Sequence, residues 1–361
     1  MKNKIESIQA LRGVAVIAVV LCHYAQYFNF ENKKINAILG SGIWGVDLFF
    51  IISGFVAAYS IPKGSKSFFS GMDYLVKRLI RIWPLYAFIT LLSCGSTSAT
   101  WLESIKSILF IPLGGTGNYF GYYGPFYGGA RVGQGWTLNY EMYFYIALSF
   151  CFIFGRLKWA ALIFSLSFII AIPLIIYGFP SDYLNSGFFF KIPYLSMITH
   201  PIILEFLSGV MLGLIFPFLT SKKSNLIILI CLSGVLFFLN SVYNASYNHF
   251  DWWFPCFTLL FAAISLEKIG YTFKPRLIMY LGALSYSIYL LHLNIQNIFI
   301  KIFDRIPSGI NDNNTIFFIS SIFLTIFLSH FSYKLIEVKT RRYLQIKWDE
   351  LKANLMVFPA K

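Results

Sequence analysis

The chain has 361 residues, of which 57% are hydrophobic and only 12% are charged, and its formal net charge is +14. Its mean hydropathy is +0.67. A soluble domain carries about 25% charged residues, so this composition excludes a soluble globular protein. The sequence predicts an all-α, polytopic membrane protein.

Long apolar runs recur along the whole chain. A membrane-crossing helix needs about 17 to 25 mostly apolar residues, and about ten runs come near this length. We find no internal repeat and no linker, so we predict a single transmembrane domain over residues 1–340 and a basic cytoplasmic tail over 341–361. The ten runs are 8–28, 41–61, 79–97, 136–154, 159–178, 198–217, 225–243, 252–267, 278–299 and 315–336.

The lysines and arginines lie mostly on one side of this predicted topology. With a cytoplasmic N-terminus, 22 of the 29 fall in cytoplasmic segments and 7 in outer segments. Because basic loops stay inside, we expect both termini in the cytoplasm. A cytoplasmic face attracted to anionic membrane lipid accounts for most of the positive charge, and nucleic-acid binding is not implied. The five cysteines show no CxxC spacing, so neither a metal site nor a disulfide framework is indicated.

The first run contains the stretch ALRGVAVIAVVLCHY, with Arg12 near its cytoplasmic end and His23 near its outer end. In a helix, eleven residues cover about 16 Å and return the two side chains to the same face. These residues are either the ordinary flanks of a helix or two functional groups. Ionisable residues within spans are costly and mark functional sites by default.

Three further ionisable residues are predicted at a depth similar to that of His23. Asp47 lies in the second span, Glu141 in the fourth and His292 slightly deeper in the ninth. A carboxylate beside an imidazole fixes its tautomer and raises its basicity. We therefore expect Asp47 to orient His23 as a general base. Taken alone, His292 is more simply a structural residue near the membrane edge.

Arg12, Arg78 and Arg81 are predicted to form a second, cytoplasmic layer. Each one is explained by anchoring at the cytoplasmic face. Together they could bind the phosphates of a cytosolic donor, because guanidinium groups bind phosphate in bidentate fashion. The outer loop 113–135, rich in Gly and Tyr, is either a flexible loop or an aromatic surface for a sugar.

Six motifs follow one another along nearly the whole chain. They are Arg12-x10-His23, GVDLFFIISGF at 45–55, RLIRIWPLY at 78–86, WTLNYEMYFY at 136–145, LGALSYSIYLLH at 281–292 and YKLIEVKTRR at 333–342. In this order they resemble the membrane-bound acyltransferase-3 family, which comprises bacterial O-acetyltransferases of surface polysaccharides. The last motif departs from the usual IEKPxR, with Val338 and Lys339 in place of Lys-Pro, although Glu337 and Arg341 still align.

The resemblance implies a ten-helix core in the bacterial inner membrane. Such a core takes an acyl group, usually acetyl, from cytosolic acyl-CoA and passes it to a hydroxyl of a glycan or glycolipid. Acetyl-CoA is then the expected co-substrate. Many members carry a fused outer domain, so this chain is expected to act directly or with a separate partner. The predicted site residues are His23, Asp47 and Glu141 as catalytic groups, Arg12, Arg78 and Arg81 as donor ligands, and Trp136, Tyr286 and His292 as acceptor contacts.

The sequence leaves the mechanism and two other functional classes open. His23 acts either as a general base or as a transient carrier of the acyl group. A transporter of a lipid-linked sugar stays open because intramembrane Asp, Glu and His can relay protons, although paired broken helices are not evident. A non-catalytic partner in polysaccharide synthesis is the third class.

Overall fold

The computed structural model describes residues 5–28, 33–62, 64–65, 67–95, 97–113, 128–243, 249–303 and 314–357. Every regular element in these ranges is a helix, which confirms the predicted all-α class. Most of the outer loop singled out above, residues 114–127, lies outside the described residues. The helices are α1 Glu6–Phe28, α2 Lys33–Gly40, α3 Trp44–Ser60, α4 Phe68–Leu92, α5 Ser98–Ile108, α6 Gly135–Cys151, α7 Lys158–Tyr177, α8 Tyr183–Ser186, α9 Pro193–Ile198, α10 Ile203–Ile215, α11 Lys223–Tyr243, α12 His249–Lys268, α13 Arg276–Phe303, α14 Asn314–Ser332 and α15 Arg341–Val357.

The chain is a multi-pass membrane protein. Within the described residues, seven helical stretches are long and apolar enough to cross a membrane, and one of them, Gly135–Tyr177, contains both α6 and α7. These two helices meet at Gly155, whose φ of 58° breaks the helix. The two remaining predicted runs coincide with helices α4 and α12, which are not among these seven stretches. Each of the ten runs thus coincides with a helix, while ten membrane crossings remain a prediction.

Glycines let α3 and α10 pack at very short distance. A Cβ atom on Gly54 would lie 2.0 Å from the carbonyl oxygen of Phe206, and one on Gly209 would lie 2.0 Å from that of Ile51. Small residues at such crossings allow the backbones of membrane helices to approach closely. The resulting contact fixes the face of α3 that also carries Asp47.

Helix α1 occupies the centre of the bundle and packs on α3, α12, α13 and α14. It crosses α13 where a Cβ on Gly282 would lie 1.9 Å from the Gln9 carbonyl oxygen. Its first backbone N–H groups, of Glu6 and Ser7, donate to the carboxylate of Glu267 at 2.8 and 2.7 Å. A carboxylate satisfies the free N–H groups at a helix N-terminus and complements the helix dipole. Both contacts fix the position of the helix that carries Arg12 and His23.

The C-terminal part of the chain forms one helical rod with a π-helical segment in its middle. Residues Tyr333–Thr340 are π-helical and join α14 to α15. The predicted start of the tail at residue 341 coincides with the end of this segment. Helix α15 packs against α4, so this part of the tail is folded against the bundle.

Candidate functional site

A cavity of about 110 Å³, here called the central cavity, lies between α1, α3, α4, α6 and α13. Arg12, Arg78, Arg81 and Glu141 supply its charged side chains, so the structure brings together all three predicted donor ligands. Apolar and aromatic side chains make up most of the remaining wall. A concave, mostly apolar site with a few polar groups is typical of small-molecule binding.

Arg78 is held between two tyrosine rings. Its guanidinium carbon lies 5.1 Å from the ring centre of Tyr74 and 5.2 Å from that of Tyr145. Its Nη2 also approaches the hydroxyl of Ser60 at 3.5 Å. Stacking on aromatic faces stabilises a guanidinium that has left water. Arg78 is therefore held in a fixed position in the wall of the central cavity.

Glu141 is anchored by two hydroxyl groups. The hydroxyl of Tyr145, one turn further along α6, donates to its Oε1, and the hydroxyl of Ser53 donates to the same oxygen at 3.2 Å. Residues four apart lie on one helix face, which explains the contact between Glu141 and Tyr145. Glu141 thus lies with the arginines and not with the predicted outer layer.

Arg12 and Arg81 face the cavity without a compensating bond. Their guanidinium groups lie within repulsive range of each other, and neither makes a hydrogen bond or ion pair within the described ranges. Glu337, whose carboxylate accepts from the Ser287 hydroxyl, is near both of them. Together with Arg78 they form the guanidinium cluster. Like charges held together in this way favour an anionic ligand.

His23 and His292 form an imidazole pair. Their ring centres are 5.0 Å apart in an edge-to-face arrangement. The Nδ1 of His23 bonds the carbonyl oxygen of Val19 at 2.9 Å, and that of His292 bonds the carbonyl oxygen of Tyr289 at 2.7 Å. A carbonyl only accepts, so each neutral ring carries its proton on Nδ1 and keeps a basic Nε2. The Nε2 of the fully buried His292 has no partner among the described residues.

Among the described residues the structure does not pair Asp47 with His23, so an orienting role for Asp47 stays a prediction. The imidazole of His23 contacts the Val19 carbonyl and the His292 ring, and within the described residues Asp47 is not among its partners. Asp47 is fully buried and hydrogen-bonds the carboxyl of Glu205, which is 4% exposed on α10. Asp47 lies two turns before Gly54 and so on the face of α3 that packs on α10. Equal depth on sequential helices does not fix the direction in which a side chain points.

Two of the three predicted acceptor contacts lie at or beside the central cavity. Tyr286 lines it, and its hydroxyl donates to the Ile82 carbonyl at 2.6 Å. His292 is next to the cavity through Tyr289, whose ring lines the wall and lies 5.7 Å from the His292 ring. Trp136 is 7% exposed and packs against Phe50, so it belongs to the core and not to the cavity wall.

Three functional candidates were missed by the sequence reasoning, and two of them gave a usable signal. Glu205 is a carboxylate within the predicted span 198–217, so the depth criterion applied to Asp47 also selects it. Tyr145 follows Glu141 by one helical turn, which predicts their contact. Tyr289 gave no such signal, because nothing local distinguishes it from the other aromatic residues of α13.

The structure is a helical membrane bundle with a guanidinium-lined cavity, and an imidazole pair lies behind one wall of that cavity, at Tyr289. Guanidinium groups can bind anions, and an imidazole nitrogen that carries no proton can accept one. The chain belongs to the acyltransferase-3 family, whose model, described as an acyltransferase domain, matches residues 5–333. This result confirms the family that the six motifs indicated, and it makes the protein a membrane acyltransferase.

Among characterised proteins, the chain is similar to the exopolysaccharide production protein ExoZ of Rhizobium meliloti (strain 1021). The two are 28% identical over 262 residues, which are 70% of this chain and 75% of that protein. No solved structure matches the chain.

Proposed function

We propose that this acyltransferase takes an acyl group, in the first instance acetyl, from cytosolic acyl-CoA and transfers it to a hydroxyl of a surface glycan or lipid-linked oligosaccharide. The protein would act in the bacterial inner membrane with both termini in the cytoplasm. The observation that carries the proposal is the guanidinium cluster, in which Arg12 and Arg81 face the central cavity without a partner in the described part of the chain. The name of the similar ExoZ protein supports a polysaccharide as the acceptor.

In the proposed reaction the acceptor hydroxyl attacks the thioester carbonyl. The new carbon–oxygen bond forms, the carbon–sulfur bond breaks, and the hydroxyl proton moves to the Nε2 of His23 and then to the leaving thiolate. His23 suits this role because its Nδ1 is held by the Val19 carbonyl, which leaves Nε2 as the basic nitrogen. A variant of this route, in which Nε2 first accepts the acyl group, uses the same atoms.

The remaining groups would position the two substrates. The guanidinium cluster would hold the negative charge of the donor at the cytoplasmic end of the cavity. Glu141, fixed by Ser53 and Tyr145, would bind a hydroxyl or amide of the substrate. Because a thioester is already activated, holding the reactants in register and moving one proton are the main tasks left to the protein.

The test uses the purified protein in lipid vesicles with acetyl-CoA labelled in the acetyl group and with glycolipid extracted from the producing cells. We expect label on the glycan, at a rate that depends on the protein. Label that remains on the protein after rapid denaturation would favour the acyl-histidine route. Label on neither the glycan nor the protein would contradict the proposal and favour transport or a purely structural role.

A further inference from the structure

Two reciprocal hydrogen bonds join α1 and α13 at the imidazole pair. The hydroxyl of Tyr24, the residue that follows His23, donates to the backbone carbonyl oxygen of His292 at 2.9 Å. The amide nitrogen of Gln296, one turn beyond His292, donates to the backbone carbonyl oxygen of His23 at 2.7 Å. Each helix thus holds the backbone of the histidine on the other helix. We call these two hydrogen bonds the backbone clamp.

We propose that Tyr24 and Gln296 are positioning residues of the imidazole pair, and that the backbone clamp sets the ring spacing at which His23 works. This inference rests on the proposed function, because it concerns the proton that His23 takes from the acceptor hydroxyl. Tyr24 and Gln296 take no part in the chemistry itself. Each one acts on a histidine through the backbone of that histidine.

The backbone clamp lies at a level of the contact between α1 and α13 where neither helix has a glycine. Each helix has a single glycine, Gly13 in α1 and Gly282 in α13. Both lie towards the cytoplasmic end, where a Cβ on Gly13 would lie 2.3 Å from the carbonyl oxygen of Ile278. Small residues let membrane helices approach until their backbones touch, which fixes the distance there. At His23 and His292 two imidazole rings meet instead, so side-chain contacts set the distance between the helices at that level.

The backbone clamp is buried and is tied to a third helix. Tyr24 is fully buried, and Gln296 is 8% exposed. The Tyr24 hydroxyl also lies 2.6 Å from the hydroxyl of Thr325 on α14. Because a buried polar group that loses its partner is costly, both side chains are held firmly in these bonds. The clamp can therefore transmit a fixed distance to the two histidines.

The ring spacing matters because His292 is an electrostatic neighbour of His23. The energy between two charges depends on their distance and on the local dielectric, which is low inside a bundle. Two positively charged rings this close would repel each other, so we expect the pair to take up one proton at a time. A shift of either ring changes how readily His23 accepts that proton. It also moves the Nε2 of His23 out of register with the acceptor hydroxyl.

The first experiment measures acetyl transfer in the vesicle assay for two variants that break the backbone clamp. Gln296→Met keeps the length of the side chain and removes the donor, and Tyr24→Phe removes only the hydroxyl. For each variant we expect kcat to fall by about tenfold, because a small displacement of a reacting group lowers the rate strongly. KM for acetyl-CoA should stay unchanged, because the guanidinium cluster is intact.

The matched control is Gln9→Met. The amide nitrogen of Gln9 donates to the carbonyl oxygen of Met279 at 2.8 Å, so it joins the same two helices by the same kind of bond. Gln9 lies about 21 Å from His23 along α1, towards the cytoplasmic end. A clamp that only stabilised the packing of α1 on α13 would give the Gln9 and Gln296 variants similar losses of thermal stability and of activity. We expect similar losses of thermal stability, and a loss of kcat in Gln296→Met alone.

The second experiment observes the ring spacing without turnover. Protein whose histidines carry NMR-active carbon and nitrogen isotopes is placed in lipid bilayers, and solid-state NMR records cross-peaks between rings. The cross-peak between His23 and His292 is identified by its absence from His23→Gln. We expect this cross-peak to build up at the same rate in the wild-type protein and in Gln9→Met. Its build-up should be slower in Gln296→Met and in Tyr24→Phe, because the rings are no longer held together.

Three results would overturn the inference. They are an unchanged kcat in both clamp variants, an equal loss of kcat in Gln9→Met and Gln296→Met, and an unchanged build-up of the cross-peak in both clamp variants. Failure of the proposed function gives a different pattern. In that case the wild-type protein transfers no acetyl label, while the cross-peak between the two rings still depends on Tyr24 and Gln296.

Discussion

At the imidazole pair, both Nδ1 atoms bond backbone carbonyls of their own helices, and the rings of His23 and His292 pack edge to face. At the guanidinium cluster, by contrast, Arg12 and Arg81 face an open cavity and find no partner among the described residues. The first arrangement fixes the orientation and tautomer of two bases before any substrate arrives. The second holds two guanidinium groups without a hydrogen bond among the described residues, although the carboxylates of Glu141 and Glu337 are near Arg12. This difference separates groups suited to proton transfer from groups suited to binding, and the two can be perturbed independently.

The largest effect is expected at the imidazole pair. His23→Gln removes the proposed base while keeping a polar side chain of similar length, so we expect kcat for acetyl transfer to fall by about 100-fold or more. Binding of acetyl-CoA should change little, because the guanidinium cluster is intact. The measurement is labelled acetyl transfer in vesicles alongside a separate binding titration.

The matched control for that variant is His330→Gln. His330 lies on α14, where its Nδ1 contacts the Tyr280 hydroxyl at 2.7 Å, and it does not line the central cavity. The His330→Gln protein should transfer acetyl at the wild-type rate. A His23→Gln protein that transfers acetyl at the wild-type rate would remove His23 from the chemistry.

At the guanidinium cluster we expect a smaller change in activity, and it should affect KM more than kcat. Arg12→Gln deletes one donor contact, so KM for acetyl-CoA should rise by about tenfold, with a lesser change in kcat. Arg276→Gln serves as the control, because Arg276 is exposed at the start of α13 and does not line the central cavity. If Arg12→Gln lowered kcat and left KM unchanged, the division between binding and proton transfer would fail.

The smallest effect concerns the buried carboxyl pair of Asp47 and Glu205. Two carboxyl groups bond each other only when one of them holds a proton, so Glu205→Gln, which still offers an N–H donor, should preserve the contact between α3 and α10. Glu205→Ala should lower the free energy of unfolding by about 1–3 kcal/mol, because it leaves a buried carboxyl without this bond. Thermal unfolding in detergent measures the stability of both Glu205 variants relative to the wild-type protein. Equal losses for the two variants would argue against the shared proton.

Much of the architecture can be predicted from the composition of the sequence and the spacing of its apolar residues, because a membrane helix requires a long apolar run. The convergence of Arg12, Arg78 and Arg81 also followed from their predicted depth. Depth alone, however, gives one coordinate of a side chain and not its direction around the helix axis. Asp47 was therefore matched with His23 by depth, whereas the glycine contact at Gly54 turns it towards Glu205. Glu141 was likewise placed too far from the arginines.

The π-helical segment at Tyr333–Thr340 has a consequence for how this protein tolerates changes in length. A π turn holds more residues than an α turn, because its bonds join residues five apart. Removing one residue there lets the π turn close into an α turn, so the helix beyond it keeps nearly its original rotation. Removing one residue from a regular α-helix instead rotates everything beyond it by about 100°. A deletion at the start of α15 would therefore turn Trp348 away from Asp73, to whose carboxylate its Nε1 donates at 2.9 Å. Residues 333–340 thus form a segment that can lose one residue at little cost, whereas the same deletion within α15 would be more damaging than most substitutions.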